Sequence, residues 1–342
     1  MDRGVVVHEL GRTSIEEIEV AEPGPQDVLV GIEASGVCHS DLHLLEHGWG
    51  HRLPVVLGHE GAGVVEAVGP EVEGLAPGDR VVLGWRAPCG RCAWCRRGDP
   101  RRCRTPAVAG PAPHLPDGQE LGRTLGLGTF ATRVVVQQAA AVRVPDELPL
   151  EQACLVGCAV ATGVGSVLET ARVWEGARVG VIGCGAVGVS VVQGARIAGA
   201  AEIYALDLDE RKLEAAERFG ATHTGPGERL DFVFDVVGRP ETVRQGLAML
   251  GHAGTLVYIG LPQPGSEVTL SLERLFDRRV RIFVSHGGDH VPREDFPRLL
   301  QLALDGRLDL AGMVTKTIAL EDVDRAFDEL KAGDVIRSVI RL

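Results

Sequence analysis

A glycine-rich turn at residues 179–188 constrains the fold of this chain more strongly than any other stretch. The segment reads Val-Gly-Val-Ile-Gly-Cys-Gly-Ala-Val-Gly, which places G-x-G-x-x-G directly after an apolar strand and at the start of a helix. In such a turn Gly183 permits the tight bend, Gly185 lets the backbone approach a pyrophosphate, and Gly188 lets the helix pack against the strand. The sequence therefore predicts a dinucleotide-binding turn, the alternative being a glycine-rich turn without a ligand.

An acidic residue at the end of the next predicted strand indicates which dinucleotide is bound. Asp207 follows Gly188 by nineteen residues. A carboxylate at this position accepts hydrogen bonds from a ribose 2′-hydroxyl and repels a 2′-phosphate. The sequence therefore favours NAD over NADP.

From about residue 159 the sequence alternates strand and helix patterns, which is typical of a parallel, doubly wound sheet and of the α/β class. The predicted strands cover residues 179–182, 203–206, 232–236 and 255–259. The predicted helices include a small-residue helix that ends near Gly199 and two more at residues 210–219 and 241–250.

Residues 4–144 have a different pattern, of short strands separated by glycine and proline turns, which predicts a compact β domain. The predicted strands cover residues 5–8, 15–20, 28–32, 63–68 and 80–83. The last residues, from about 286, supply predicted helices at 295–304 and 320–331 and a strand at 338–342. A chain of 342 residues is long enough for two such domains.

Charge and hydropathy exclude several classes of partner. The net charge of -12 argues against a general nucleic-acid or anionic-membrane partner, because the long-range field repels polyanions. No segment is apolar over a length that would span a bilayer, and a cytoplasmic protein is expected. A local basic cluster is interpreted as a solvated face, since no aromatic stacking ladder accompanies it: Arg91, Arg96, Arg97, Arg101, Arg102 and Arg104.

Four cysteines lie within a short segment rich in glycine, proline and arginine, with the spacing C-x2-C-x2-C-x7-C: Cys89, Cys92, Cys95 and Cys103. Four thiolates that converge from one loop suit a tetrahedral zinc ion, and a site with four protein ligands has no open position, so this zinc is predicted to be structural. An iron–sulfur cluster is the rival interpretation.

Residues 36–43 combine a thiol, imidazoles, a hydroxyl and a carboxylate in eight positions. Cys38 is a candidate metal ligand, Ser40 and His43 can transfer protons, and Asp41 could orient an imidazole that binds a metal. A structural loop with a buried cysteine is the alternative for this stretch.

Two further motifs are Gly-His-Glu-Gly-Ala-Gly at residues 58–63 and Gly-Cys-Ala-Val-Ala-Thr-Gly at residues 157–163. With the three motifs above they make five, and their order along the chain is that of a known protein family. The chain resembles the zinc-dependent medium-chain alcohol dehydrogenases along nearly its whole length. The resemblance implies a GroES-like, β-rich catalytic domain at residues 1–159 and 286–342, which carries the structural-zinc lobe at about 85–105. It also implies a Rossmann NAD-binding domain at residues 160–285.

The same resemblance implies the activity and the subunit composition. The implied activity is the interconversion of alcohols with aldehydes or ketones by hydride transfer, with NAD and two zinc ions per subunit, one catalytic and one structural. The substrate would be a small molecule, and a homodimer or homotetramer is expected.

The resemblance assigns roles to individual residues. Cys38, His59 and Cys158 would be the three protein ligands of the catalytic zinc. Asp41 looks like the partner of His59, and Glu60 like a nearby carboxylate that can approach the metal.

Further roles follow from the same resemblance. Ser40 and His43 would form a proton relay. The cofactor-binding residues would be His39, Thr162, Gly183, Gly185, Ala186, Val187, Gly188, Asp207, Lys212, Ile259, Leu261 and Arg337, with His39 and Arg337 facing the pyrophosphate. Trp49, Trp85 and Phe130 would line the substrate pocket, with plain core packing as the alternative. Cys154 and Cys184 match no ligand position, and His8, His47, His51 and His114 have no assigned role.

The sequence departs from the family pattern at one point, and it leaves two alternative functions open. Only residues 224–230 connect two predicted strands where the family usually has a further helix, which predicts a short turn there. Residues 84–90 and 105–128 resemble a branch that contains thiol-dependent, mycothiol-type formaldehyde dehydrogenases. A non-catalytic zinc and dinucleotide binding protein is the third alternative, which the presence of Ser40 and His43 disfavours.

Overall fold

A computed structural model describes residues 1–342. Its strands are β1 Asp2–Glu9, β2 Arg12–Ile18, β3 Asp27–Gly36, β4 Val55–Val56, β5 Glu60–Val68, β6 Arg80–Leu83, β7 Gly122–Arg123, β8 Arg133–Gln137, β9 Ala141–Arg143, β10 Arg178–Ile182, β11 Glu202–Leu206, β12 His223–Thr224, β13 Leu230–Asp235, β14 Leu250–Tyr258, β15 Arg281–Val284, β16 Val314–Ala319 and β17 Arg337–Arg341.

The α-helices are α1 His39–His47, α2 Ala93–Arg96, α3 Leu150–Ala153, α4 Ala159–Gly165, α5 Ala186–Ile197, α6 Glu210–Phe219, α7 Pro240–Met249, α8 Leu272–Arg278, α9 Pro292–Leu304 and α10 Val323–Ala332. A π-helix, Ser166–Ala171, continues α4, and several 3-10 turns connect other elements. No single helix is long and apolar enough to cross a membrane, although one bent pair of helices passes that test by length and composition.

The chain forms two compact units, Met1–Cys158 with Val291–Leu342, and Ala159–His290. Residues 286–290 and Ala159, which the sequence-based division assigned to the first domain, belong to the second unit. The physical reason is local packing within that unit: Thr170 donates a hydrogen bond to Asp289 at 2.7 Å, and the backbone of Gly288 lies against Gly165 so closely that a Cβ on Gly165 would come within 2.5 Å of it.

The first unit contains two β-sheets. One has the strand order β2-β1-β4-β7, and the other has the order β16-β17-β3-β5-β6-β9, with β8 also paired to β3. In β3 the apolar residues Val28, Val30 and Ile32 are buried in one hydrophobic cluster, as their period of two requires. Strand β3 pairs antiparallel with both β5 and β17, which brings Gly36 beside Glu60 and Val339. This register places the end of β3 beside the start of β5 and beside β17, although the three strands are far apart in the sequence.

The second unit contains an all-parallel sheet with the strand order β12-β11-β10-β13-β14-β15. The predicted α/β class with a doubly wound sheet is confirmed. The strand order reverses between β10 and β13, and ligands of such sheets bind at the carboxyl ends of the strands beside this reversal. The glycine-rich turn follows β10 at that point.

The predicted short connection is present, because no helix lies between β12 and β13. A polar network extends along the sheet beside this connection. Arg178 Nε and the Tyr204 hydroxyl each donate a hydrogen bond to Glu202 Oε2 at 2.7 Å, and the Tyr204 ring stacks on His223 with centroids 4.5 Å apart. These side chains therefore satisfy one another's hydrogen bonds beside the short connection.

Candidate active site

Four potential metal ligands converge in the first unit. Cys38 immediately precedes α1, His59 and Glu60 lie at the start of β5, and Cys158 follows the 3-10 helix Cys154–Gly157. Their ligand atoms all lie within 4.8 Å of one another, and all four side chains are buried. Buried sulfur and nitrogen donors in this combination are typical ligands of zinc.

Two glycines in the predicted motifs make this convergence sterically feasible. A Cβ on Gly36 would lie 2.0 Å from Glu60 Oε2, so only glycine leaves room for that carboxylate. Gly58 has a φ of 95°, and a Cβ there would lie 2.3 Å from the Phe130 backbone nitrogen. A side chain at position 36 would displace the Glu60 carboxylate, and a side chain at position 58 would clash with the backbone of Phe130.

The imidazole of His59 is held in one orientation by Asp41. Asp41 Oδ1 lies 3.0 Å from His59 Nδ1 and also accepts a hydrogen bond from the Gly58 backbone N–H at 2.9 Å. Because a carboxylate only accepts, Nδ1 carries the proton and Nε2 is available as a ligand. His59 Nε2 is buried without a hydrogen-bond partner, which fits a metal ligand. Burial alone would lower the pKa of His59, but the charges of Asp41 and Cys38 outweigh it and raise that pKa well above its usual value.

The two thiols of the centre are hydrogen-bonded to each other. The hydrogen bond from Cys158, together with the positive charges of Arg337 and His59, holds the pKa of Cys38 well below its usual value despite burial. The same hydrogen bond and burial raise the pKa of Cys158. A divalent cation bound between these two buried sulfurs would stabilise both as thiolates.

A buried ion pair lies beside the thiols. Arg337 Nη2 donates to Glu60 Oε1 at 3.1 Å, and Arg337 Nη1 donates to the Val37 carbonyl at 2.6 Å. Burial opposes the charge on Arg337, but the carboxylate of Glu60 and the nearby sulfurs outweigh it and raise the pKa of the guanidinium. Arg337 therefore belongs to the environment of the metal centre, while its predicted contact with a pyrophosphate stays a prediction.

The cysteine lobe forms a second cluster of ligands, which comprises Cys89, Cys92, Cys95 and Cys103. Cys92 Sγ lies 3.6 Å from Cys95 Sγ and 4.0 Å from Cys103 Sγ. Zinc–sulfur bonds of about 2.3 Å in a tetrahedron require sulfur separations of roughly 3.8 Å, so the cluster has the dimensions of a tetrathiolate zinc site. Hydrogen bonds from Thr105 and from backbone N–H groups lower the pKa of Cys89 to about 6.

The glycine-rich turn of the second unit has the predicted close approaches. Gly183 has a φ of 92°, and a Cβ on Gly188 would lie 1.8 Å from the Gly183 carbonyl oxygen. Space is open around Gly185, the residue before α5, where a Cβ would meet no atom within 4 Å. Asp207 Oδ2 accepts a hydrogen bond from the Cys184 backbone N–H at 2.7 Å, which fixes the carboxylate at the edge of this space.

Comparison with known proteins finds dehydrogenase domains in both units. Residues 24–146 match the alcohol dehydrogenase GroES-like domain, and residues 186–305 match the zinc-binding dehydrogenase domain. The chain is 35% identical to S-(hydroxymethyl)glutathione dehydrogenase of Komagataella pastoris, over 99% of this chain and 97% of that protein. The chain belongs to the medium-chain dehydrogenase/reductase family.

Other members of the medium-chain dehydrogenase/reductase family have similar lengths and folds. The NDMA-dependent alcohol dehydrogenase of Amycolatopsis methanolica is 36% identical over 99% of both chains. The crystal structure of an alcohol dehydrogenase zinc-binding domain protein from Burkholderia ambifaria has a TM-score of 0.94 and 34% identity, over 100% of this chain and 98% of that chain. This chain is thus an oxidoreductase of the zinc-dependent alcohol dehydrogenase type.

The other predicted site residues of this dehydrogenase lie on four elements or at their ends. Ser40 and His43 are half-buried neighbours on α1, Lys212 lies in the first turn of α6, and Ile259 and Leu261 follow β14 at its carboxyl end. Thr162 is buried in α4 and His39 is exposed at the start of α1. Their predicted roles toward a cofactor stay predictions.

The three predicted pocket residues of the dehydrogenase differ in exposure. Trp49 is 41% exposed just after α1, and Trp85 is partly buried against the first hydrophobic cluster. Phe130 has no exposed surface and lies in a hydrophobic cluster with Phe327, and the centroids of the two rings are 6.4 Å apart. Its predicted role in the substrate pocket stays a prediction, with core packing as the alternative.

Sequence reasoning did not single out two apolar residues at the carboxyl edge of the second unit's sheet. Leu208 is fully exposed directly after Asp207, and Val237 is 37% exposed after β13. Both flank the strand reversal where the glycine turn lies. The sequence does contain one indication of the exposed leucine: Leu208 directly follows the acidic Asp207 in a segment that is otherwise polar.

Proposed function

We propose that this dehydrogenase catalyses the reversible oxidation of an alcohol by NAD, with release of one aldehyde or ketone, one NADH and one proton. The observation that carries the proposal is the buried convergence of Cys38, His59 and Cys158 around an imidazole nitrogen without a hydrogen-bond partner. Three protein ligands are characteristic of catalytic zinc sites, whereas the cysteine lobe has four.

The residues that would hold the catalytic zinc are Cys38, His59 and Cys158. A bound zinc ion supplies Lewis acidity, which lowers the pKa of an alcohol hydroxyl. Asp41 keeps the Nε2 of His59 directed at the thiols, and Arg337 neutralises the charge of Glu60. Two thiolates balance a divalent cation and Arg337 balances Glu60, so the buried carboxylate of Asp41 is the one remaining negative charge among these groups before substrate binds.

The proton of the alcohol would leave through residues of α1. Ser40 and His43 are separated by one helical turn and therefore lie on the same face of the helix. Both are half-buried, so each side chain keeps some contact with water. In this hypothesis the Ser40 hydroxyl passes the proton and the His43 imidazole releases it to solvent.

NAD is proposed rather than NADP because of the Asp207 carboxylate. Its fixed position beside the glycine turn would accept hydrogen bonds from a ribose and repel a 2′-phosphate. The open space at Gly185 and the start of α5 suit a pyrophosphate. Lys212 in the first turn of α6 is available to the adenosine ribose.

The test is a coupled measurement of turnover and metal content. Purified protein is assayed with NAD or NADP against a panel of small primary and aromatic alcohols, and zinc is counted by mass spectrometry. Wild type is expected to reduce NAD with two zinc ions bound, and Cys38→Ser is expected to lose turnover and one zinc. Full activity of Cys38→Ser would overturn the proposed centre. Bound zinc without any alcohol-dependent NADH would favour a non-catalytic binder.

A second candidate is the oxidation of a formaldehyde adduct of a small thiol. The names of similar proteins favour it, because the Komagataella pastoris relative is an S-(hydroxymethyl)glutathione dehydrogenase. The discriminating assay adds formaldehyde with glutathione or mycothiol. NAD reduction that requires the thiol would favour this candidate, and reduction with simple alcohols alone would favour the first.

We also infer a homodimer or homotetramer, and a cytoplasmic location. Strand β15 is the unpaired edge of its sheet and exposes Ile282, Phe283 and Val284, an apolar edge that a second copy could cover. Light scattering of wild type and of Phe283→Lys tests this, with dissociation expected for the variant. Two groups of clustered free thiols suit a reducing compartment.

A further inference from the structure

Helix α1 carries histidines at every fourth position, and two of them are in contact. The rings of His43 and His47 have centroids 5.9 Å apart and are inclined by 49°. Residues four apart lie on one face of a helix, and two histidines with this spacing form a known chelating arrangement for transition metals. Neither residue contributes to the four-ligand cluster of Cys38, His59, Glu60 and Cys158.

The geometry is close to that of a shared metal ion. Metal–nitrogen bonds of about 2.1 Å from two imidazoles bring the ring centroids to roughly 5 Å. The observed separation of 5.9 Å exceeds this value by about 1 Å. His47 is exposed and His43 is half-buried, so an ion from solution has access to the pair and water can complete its coordination.

The electrostatic surroundings favour a cation. His47 is the last residue of α1, where the helix dipole stabilises positive charge. The Glu46 carboxylate lies close enough to both imidazoles to interact with them, although Lys331 also pairs with it at 2.8 Å. The chain as a whole carries a net charge of -12, which raises the local concentration of cations.

We propose that His43 and His47 together chelate one added divalent transition-metal ion, of the Ni²⁺, Cu²⁺ and Zn²⁺ class, and that this ion blocks the proton path through His43. Imidazole nitrogens bind these ions in preference to Mg²⁺ or Ca²⁺. A coordinated imidazole nitrogen cannot accept a proton, so occupancy stops release through that group. The inhibitory part rests on the proposed function of His43, whereas the binding part does not.

The test titrates Ni²⁺ into the protein with its resident zinc in place. Calorimetry gives the number and affinity of added ions, and a colorimetric chelator reports any zinc released. His47→Gln removes one ligand without touching the proposed relay, and His252→Gln, an exposed histidine on β14, is the matched control. Because even groups that only support a ligand change metal affinity by roughly 10–100-fold, His47→Gln is expected to weaken Ni²⁺ binding at least tenfold.

Wild type and His252→Gln are expected to bind one Ni²⁺ and to lose alcohol oxidation as it binds, while His47→Gln keeps its activity at the same Ni²⁺ concentration. Equal Ni²⁺ binding by His47→Gln and wild type would overturn the site, as would inhibition that follows zinc release in both. Binding that depends on His47 without inhibition would overturn the inhibitory part alone. If no alcohol is oxidised at all, the proposed function fails, and calorimetry still decides whether the site exists.

Discussion

Arg337 Nη2 lies 3.1 Å from Glu60 Oε1, and both side chains are almost completely buried. The two residues are 277 positions apart in the chain. They meet because β3 pairs with β5 on one side and with β17 on the other. The pair supports the metal centre without supplying one of its three proposed ligands.

Removal of Arg337 is expected to destabilise the first unit strongly. Arg337→Met leaves Glu60 buried and uncompensated, which costs about 3–5 kcal/mol in comparable buried pairs. The free energy of unfolding in urea measures this. The double variant Arg337→Met with Glu60→Met should recover most of the loss. Arg341→Met is the control, because its bond to Glu151 is exposed on the arginine side and should contribute less than about 1 kcal/mol; an equal loss in both single variants would contradict the prediction.

Asp41→Asn should weaken zinc binding at the proposed catalytic centre and leave the lobe unaffected. The amide can no longer accept as strongly from His59 Nδ1, and partners of this kind typically change metal affinity by roughly 10–100-fold. Dialysis against a graded chelator followed by mass spectrometry counts the zinc retained. Two equally retained zinc ions in wild type and variant would show that Asp41 does not support the metal.

The cysteine lobe should hold its zinc independently of the proposed catalytic centre. Cys95→Ser removes one of four ligands and is expected to release the lobe zinc while the other zinc remains. Cys184→Ser is the matched control, since Cys184 belongs to neither cluster and burial raises the pKa of its thiol to about 12. Loss of zinc from the control would argue against the assignment of ligands.

Asp207→Ser should reduce the preference for NAD over NADP. Loss of the carboxylate removes an acceptor for the ribose and a repulsive charge against a 2′-phosphate, and roughly a tenfold change in the ratio of dissociation constants corresponds to 1.4 kcal/mol. Fluorescence titration with NADH and NADPH gives the ratio. Asp209→Asn, which keeps an acceptor at the start of α6, serves as control and should leave the ratio unchanged.

The bond between Asp2 and Arg133 makes stability depend on pH. The hydrogen bond from Arg133 lowers the pKa of Asp2, against the opposing effect of burial. A carboxyl group whose pKa is lower in the folded state than in the unfolded state stabilises the folded state. The stabilisation is complete when the pH is above the pKa of the unfolded state, near 3.8, and it is lost as the pH falls through the lower pKa of the folded state.

Because Arg133 is 39% exposed, we expect Asp2→Asn to cost only about 1 kcal/mol at pH 7 after solvent screening. The difference between variant and wild type in urea unfolding should shrink toward zero below pH 3.8. A difference that stays constant across this range would mean that the ion pair does not contribute.

Sequence patterns predicted well those elements whose information is local. Helix α6 was predicted with its observed ends, because Asp209 caps its start and Gly220 adopts the left-handed conformation after its last residue. The spacing of the four lobe cysteines and the glycine turn are likewise each contained in one short segment of the chain. Helix α9 begins three residues earlier than predicted, at Pro292, since proline is favourable in the first turn.

Short stretches of sequence were enough to predict the ligand types, the glycine turn, the acidic residue after β11 and the missing helix between β12 and β13. The folded chain was needed to see that Arg337 neutralises Glu60, that Phe130 is fully buried, and that residues 286–290 pack in the second unit. These outcomes depend on which strands pair and which surfaces pack across long separations in the chain. No local pattern records that information.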